Sequence, residues 1–335
     1  MNLCTTDKLI DTFGRVHDNL RISVTDRCNI RCFYCMPEEN PVYVDRRELL
    51  SFEEVERFVR VVVQLGVNKV RLTGGEPLVR RNLATLIEKI CGVPGIRDIA
   101  LTTNGILLPD QAESLYAAGL RRINIHLDTL DAERFRKITR RDGFEKVLAG
   151  IFLCKKLGFS PIKINAVAAR GYIEDDIVPL GRFAREHGVE IRFIEFMPLD
   201  AENRRERDKV LFAQEIMDRL SEEIMPLVPV PDQDPRAPAS EFEFEDGVGR
   251  IGIIASVSRP FCMSCNRIRL TSDGKIRNCL FALDEFDVKD IMRSGGDDDE
   301  IAAVVRRAVI AKWEGHEINT ARFIKPLRPM YAIGG

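Results

Sequence analysis

Two hydrophobic rhythms alternate along the first two hundred residues. Short β-rich runs lie at 20–24, 69–72, 98–102, 123–127, 162–168 and 191–196, the pattern of strands. Between them, helical periodicity predicts helices near 51–65, 83–90, 110–118, 144–157 and 177–187. Ser51 with Glu54 three residues later forms a capping box, and Gly66, Gly119, Gly158 and Gly188 follow predicted helix ends. Regular strand–helix alternation predicts parallel strands joined by crossover helices. A doubly wound sheet and a barrel both satisfy it, although residues after 196 do not supply the two further units of a complete eight-unit barrel. They read instead as a charged helix near 207–221, a Pro- and Asp-rich linker at 226–240, short strands, and a helix near 298–313. The expected division is therefore 1–225, a linker at 226–240, and a smaller α+β region at 241–335.

Polar and glycine residues gather after the predicted strands, at Thr73–Pro77, Thr102–Gly105, His126–Asp128 and Met197-Pro198. Parallel α/β folds bind ligands beyond the carboxyl ends of their strands, so these clusters mark a candidate site.

Composition narrows the function classes. A length of 335 residues suits one large domain or two ordinary ones, and 45% hydrophobic residues exclude a wholly disordered chain. With 50 basic and 52 acidic side chains, bulk charge does not explain polyanion binding, so any phosphate recognition must be local. Residues 1–20 hold no apolar leader core, and no run approaches the ~18 apolar residues of a membrane span. A cytoplasmic protein is expected. Nine cysteines, an odd number, fit thiols or metal ligands in a reducing compartment.

Six of those cysteines fall into two triplets. Cys28, Cys32 and Cys35 form C-x3-C-x2-C after the first strand. Structural zinc sites are usually closed by four ligands, whereas three thiolates on a four-iron cube leave one iron open to a substrate group. A zinc knuckle or unconnected thiols remain the bland alternatives. Cys262, Cys265 and Cys279 form C-x2-C-x13-C, again three, with Arg267 and Arg269 sharing one strand face between them. Paired guanidinium groups suit a phosphorylated ligand, and a solvated strand face is the alternative. Cys4, Cys91 and Cys154 have no partner at ligand spacing and read as ordinary thiols. His17, His187 and His316 read as surface or helix-end residues.

The first triplet, with Thr73-Gly74-Gly75-Glu76-Pro77, resembles the radical S-adenosylmethionine (SAM) superfamily. That resemblance implies a partial (βα)6 barrel, a [4Fe–4S] cluster on Cys28, Cys32 and Cys35, and reductive cleavage of SAM to a 5′-deoxyadenosyl radical. It also implies SAM contacts from Tyr34, Gly75, Glu76, His126 and Met197. His126 departs from the pattern, since the family commonly has serine there.

The segment C-x2-C-x-R-x-R-L-T-x-D-G-K-x5-C-L-F and the terminal Gly334-Gly335 narrow the resemblance to the GTP 3′,8-cyclase family of molybdenum cofactor biosynthesis. So do R-I-S-V-T-D-R-C-N-I-R-C-F-Y-C-M-P, R-L-T-G-G-E-P-L-V-R-R and I-R-F-I-E-F-M-P. This implies a second [4Fe–4S] cluster on Cys262, Cys265 and Cys279 that presents the purine. It implies GTP contacts from Arg21, Lys69, Arg71, Thr102, Lys163, Arg192, Arg267 and Arg269. The reaction implied is abstraction of the ribose C3′ hydrogen, attack of C3′ on purine C8, and reduction of the resulting radical by one electron and one proton, giving (8S)-3′,8-cyclo-7,8-dihydroguanosine 5′-triphosphate. Gly334 and Gly335 are expected to reach the active site. The implied partners are GTP, an external electron donor and the enzyme of the following pathway step, with no nucleic acid and no membrane; a homodimer is left open. The rival readings are a radical-SAM peptide maturase and, from another class, a zinc-stabilised nucleic-acid-binding module.

Overall fold

The computed structural model describes residues 8–36, 41–197 and 208–334. Pro198, Cys4 and Gly335 therefore lie outside the described residues. So does the start of the helix expected near 207–221. The core is six strands, β1 (Asn19–Ser23), β2 (Lys69–Thr73), β3 (Asp98–Thr103), β4 (Arg122–His126), β5 (Ile162–Ala168) and β6 (Glu190–Glu195). The helices between them are α1 (Phe52–Gln64), α2 (Leu83–Cys91), α3 (Leu108–Ala117), α4 (Ala132–Thr139), α5 (Phe144–Leu157) and α6 (Ile177–His187). The Ser51 hydroxyl accepts from the Glu54 amide at 3.1 Å while Glu54 accepts from the Ser51 amide at 2.7 Å, so the capping box forms. Helix α4, capped by Asp131, was not legible, because half of its eight residues are charged and its apolar stripe is short.

The carboxy-terminal part begins with α7 (Ala213–Glu223) and continues as β7 (Leu227–Pro229), β8 (Ser240–Phe244), β9 (Arg250–Ile254), β10 (Arg267–Leu270), β11 (Lys275–Arg277) and β12 (Phe286–Asp287). Helices α8 (Lys289–Arg293), α9 (Asp298–Ile310) and α10 (Met330–Ile333) complete it. Residues 226–240 are more than a connector, since β7 pairs antiparallel with β8.

All twelve strands form one sheet in the order β12-β11-β10-β1-β2-β3-β4-β5-β6-β9-β8-β7. The sheet is open. β10 runs parallel to β1 and β9 parallel to β6, so the carboxy-terminal part supplies a parallel strand to each edge of the six-stranded core. The parallel run is thus longer than the six strand–helix units, without further crossover helices.

Period two then sorts the side chains. Leu20, Ile22, Val70, Leu72, Ile268 and Leu270 are buried in the core, while Asn19, Arg21, Lys69, Arg71, Arg267 and Arg269 line a cavity on the other face.

Candidate functional site

That cavity has a volume of about 830 Å³ and takes residues from both parts of the chain. All six triplet cysteines line it, as do Tyr34, Gly75, Glu76, His126 and Met197 and all eight cations and hydroxyls expected for GTP. None of the six cysteines is in a disulfide. Among the described residues, no three His, Cys, Asp or Glu side chains stand ready to hold a single metal ion. Two sets of three thiols lining one cavity, none of them in a disulfide, are the donor sets four-iron cubes take, and a cube's ligating sulfurs stand wider apart than those around one ion. The residues present fit two clusters.

Cys28, Cys32 and Cys35 follow β1. Burial first, and then the Glu76 carboxylate, push the Cys28 thiol up to about 12. Glu76 is itself buried. Burial raises it to about 7 against donors from the Asn104 amide at 2.6 Å, the Thr103 hydroxyl at 2.6 Å and the Leu78 amide at 2.9 Å. Glu76 therefore ties β2 to the loop after β3. The two glycines before it serve close approach: the Gly75 amide donates to Thr25 O at 2.7 Å, and a Cβ at Gly75 would lie 2.4 Å from Arg27 O.

His126 points into the site. Its Nε2 is 2.6 Å from the Tyr34 hydroxyl and 3.0 Å from Asp128 Oδ2, and the Tyr34 hydroxyl donates to Asp128 at 2.8 Å. Burial opposes the imidazolium, but Asp128 and the hydrogen bonds outweigh it and the pKa lies well above the ordinary value. Asp128 was named in the sequence only as part of a polar cluster; it is the hub here, and also accepts from the Val167 amide at 2.7 Å.

Cys262, Cys265 and Cys279 sit before β10 and after β11. Burial raises the Cys265 thiol, yet the Arg267 guanidinium and the Lys312 ammonium overcome it and hold it down at about 6. Both donate to its sulfur at 3.4 Å. Burial raises Cys262, against a backbone hydrogen bond from His316.

The expected GTP cations form two kinds of group. Cross-strand register places Arg21 directly opposite Arg269 on one side and Arg71 on the other. Like charges in such a row repel. Burial first, then these neighbours, push Arg21 well below its ordinary pKa, and Arg71 and Arg269 fall to about 10. Arg21 Nε is buried with no hydrogen-bond partner. Lys163 and Arg192, by contrast, are paired: Lys163 with Glu190 at 2.7 Å and Glu241 at 3.1 Å, and Arg192 with the same carboxylates at 2.5 and 2.8 Å. Lys69 lies 3.7 Å from Asp234, and Thr102 accepts from Asn124 at 3.3 Å. Glu241 and the cavity-lining residues Gln233, Asp234 and Arg236 were missed, because they belong to the stretch read as linker and the strand after it. The Glu190-x-Arg192 alternation was the one sequence signal for such pairing.

The tail enters this region. Tyr331, Ala332 and Ile333 are buried, and Gly334 O accepts from Arg269 Nη1 at 2.7 Å. Gly334 has φ +83°, and a Cβ there would sit 2.8 Å from Ser23 Cβ. Two histidine expectations need correction. His17 is wholly buried against Asp11 at 3.0 Å, and His316 lines the cavity beside Phe281. Neither could be seen locally, since each is covered by residues distant in sequence. His187 does end α6.

Comparisons with known proteins agree with this architecture. Residues 22–184 match the radical SAM superfamily and residues 189–318 match the Molybdenum Cofactor Synthesis C family. The GTP 3′,8-cyclase of Rhodopirellula baltica is 48% identical, over 100% of this chain and 94% of the relative. That of Streptomyces coelicolor is 43% identical over 98% and 96%. Among solved structures, SuiB of Streptococcus suis bound to S-adenosylmethionine shares the fold at 15% identity and TM-score 0.58, over 92% of this chain and 75% of that one. No helix among the described residues is long and apolar enough to cross a membrane. With near-full-length identity to curated relatives in both halves and two cysteine triplets facing one cation-lined cavity, the chain belongs to the GTP 3′,8-cyclase family of radical SAM enzymes.

Proposed function

We propose that the chain carries out the first step of molybdenum cofactor biosynthesis, cyclising GTP to 3′,8-cyclo-7,8-dihydro-GTP. The observation that carries this reading is the Arg269–Arg21–Arg71 row, which lines one cavity with the two cysteine triplets and has no carboxylate at its register positions. A row of cations facing one cavity is costly until an anion such as a triphosphate fills it. Bidentate guanidinium contacts suit phosphate oxygens.

Cys28, Cys32 and Cys35 would hold a cluster that, with an external electron donor and SAM, would supply the radical chemistry for hydrogen abstraction from the ribose C3′. The protein's own work is positioning. Tyr34, Gly75, Glu76, His126 and Met197 surround the SAM end of the cavity. Arg21, Lys69, Arg71, Thr102, Lys163, Arg192, Arg267 and Arg269 hold GTP with its purine toward Cys262, Cys265 and Cys279. Lys163 and Arg192 exchange Glu190 and Glu241 for phosphate when GTP enters. Holding C8 beside C3′ within one restrained nucleotide removes most of the entropic part of the barrier. Gly334 closes the site next to Arg269, and Gly335 is assigned with it to the catalytic tail. Residues 1–225 carry SAM cleavage and 241–335 the second centre, with 226–240 between them. The product then passes to the next enzyme of the pathway.

The test is anaerobic incubation of the iron-reconstituted protein with SAM, a reductant and GTP. A cyclised GTP product together with 5′-deoxyadenosine is expected. 5′-Deoxyadenosine without that product would retain the superfamily and reject this reaction.

A further inference from the structure

Lys312 is a buried ammonium that the reaction above does not use. It follows α9, is 5% exposed, and among the described residues has no carboxylate at ion-pair distance. Its two partners are Arg267 O at 2.8 Å and Cys265 Sγ at 3.4 Å. The nearby carboxylate of Asp11 is already engaged, with Arg15 at 2.6 Å and His17 at 3.0 Å. Arg15 in turn clamps the segment after Lys312 to the triplet, donating to Trp313 O at 2.6 Å, Glu314 O at 2.6 Å and Cys262 O at 2.8 Å. The fold thus fixes an ammonium against one sulfur and keeps carboxylates off it.

An isolated buried ammonium is strongly unfavourable, so its counter-charge must be the thiolate side of the second centre. Around the first centre the charges are arranged otherwise. There the Arg31 guanidinium is offset by the Glu76 carboxylate beside Cys28, His126 is 3.0 Å from Asp128, and the side-chain donor to the Cys28 sulfur is the neutral Asn104 amide at 3.8 Å. Hydrogen bonds and positive charge at cluster sulfurs favour the more negative, reduced state and so raise the reduction potential.

We propose that Lys312 is a positioning residue of the second centre, acting through Cys265 to raise its reduction potential independently of the first centre. The inference rests on the cluster assignment made above. It concerns only this chain's own side chain and one sulfur.

The experiment is an anaerobic reductive titration of the two-cluster protein followed by electron paramagnetic resonance, with the first centre identified by its response to added SAM. Lys312→Met keeps length and apolar stem but removes the charge. The expected result is a more negative midpoint for the second centre, an unmoved midpoint for the first, and near wild-type values in Lys312→Arg. An unchanged second midpoint in an iron-loaded Lys312→Met protein overturns the inference while leaving the cluster assignment standing. A wild-type protein whose second triplet binds no iron overturns the assignment and the inference together. Should Lys312→Met fail to load the second centre, Lys312→Gln and Lys312→Arg decide. A lower midpoint in Gln than in Arg, or iron held with Arg alone, supports the charge role; equal or inverted midpoints, or iron lost from both, overturn it.

Discussion

The two cysteine triplets have the same ligand count and line the same cavity, yet their surroundings differ in sign. Around Cys28, Cys32 and Cys35 the charged neighbours are of both signs: the Glu76 carboxylate and the Arg31 guanidinium both act on Cys28, and His126 is paired with Asp128. Around Cys265 two cations donate to one sulfur at 3.4 Å with no carboxylate between them. Burial first, and then Glu76, raise Cys28 to about 12, whereas at Cys265 the two cations overcome burial and lower it to about 6. A shared motif arithmetic therefore conceals two electrostatic designs. In the function proposed above, one faces SAM, which brings its own charged groups, and the other faces a polyanionic nucleotide.

Breaking each triplet in turn gives the largest expected effect. Cys32→Ala should abolish 5′-deoxyadenosine formation. Cys265→Ala should still form some 5′-deoxyadenosine while losing the cyclised product, read by chromatography of one anaerobic reaction. Equal loss of both compounds in both variants would remove the division of labour between the centres.

The tail comes next. Gly334→Ala places a Cβ 2.8 Å from Ser23 Cβ at φ +83°, a strain of about 1–3 kcal/mol. Turnover should fall at least roughly tenfold with iron content unchanged, and residues appended after Gly335 should do the same. Full activity in both would show that the tail does not shape the site.

Substituting Arg21 should move affinity and stability in opposite directions. Arg21→Met removes a charge-assisted contact worth about 1.5–3 kcal/mol, so GTP affinity should fall roughly 10- to 100-fold. The same change relieves the repulsion across the Arg269–Arg21–Arg71 row, so the nucleotide-free protein should melt higher. Calorimetry with and without GTP checks both signs; a lower Tm without GTP would mean that the row is not strained.

His126→Ala should weaken SAM binding by about fivefold, the worth of one hydrogen bond of about 1 kcal/mol. Equilibrium dialysis measures it, and unchanged affinity would show that the ring serves only Tyr34 and Asp128.

Acidification probes the brace behind the second centre. His17 is lowered from 6.5 to about 4, by burial first and then by Lys312. The unfolded chain therefore binds a proton between those values that the folded chain does not, and stability falls as pH drops through that window. The loss should reach about 2 kcal/mol between pH 6.5 and 5. Urea titrations of wild type and His17→Gln check it: the variant should lack that part of the slope.

Much of this was legible in one dimension. The strand at 162–168 and the helices at 144–157 and 177–187 coincide with β5, α5 and α6, because alternation and helical period are local properties. The two cysteine triplets that line the cavity were legible because thiol spacing along the chain is a local property too. Lys312, Arg15 and Asp128 were not. Each acquires its role from partners brought to it by folding, such as the contact between Arg15 and Cys262 O.

By itself the sequence determined the strand–helix alternation, the two incomplete cysteine sets and the inventory of cations. These follow from side-chain period and spacing, which need no long-range contact. Only the tertiary structure decided that β9 and β10 extend the parallel core at opposite edges, bringing both triplets to one cavity. It alone decided which cations meet a carboxylate among the described residues and which do not. Strand pairing and charge balance depend on register between segments hundreds of residues apart, and a near-neutral net charge carries no trace of that register.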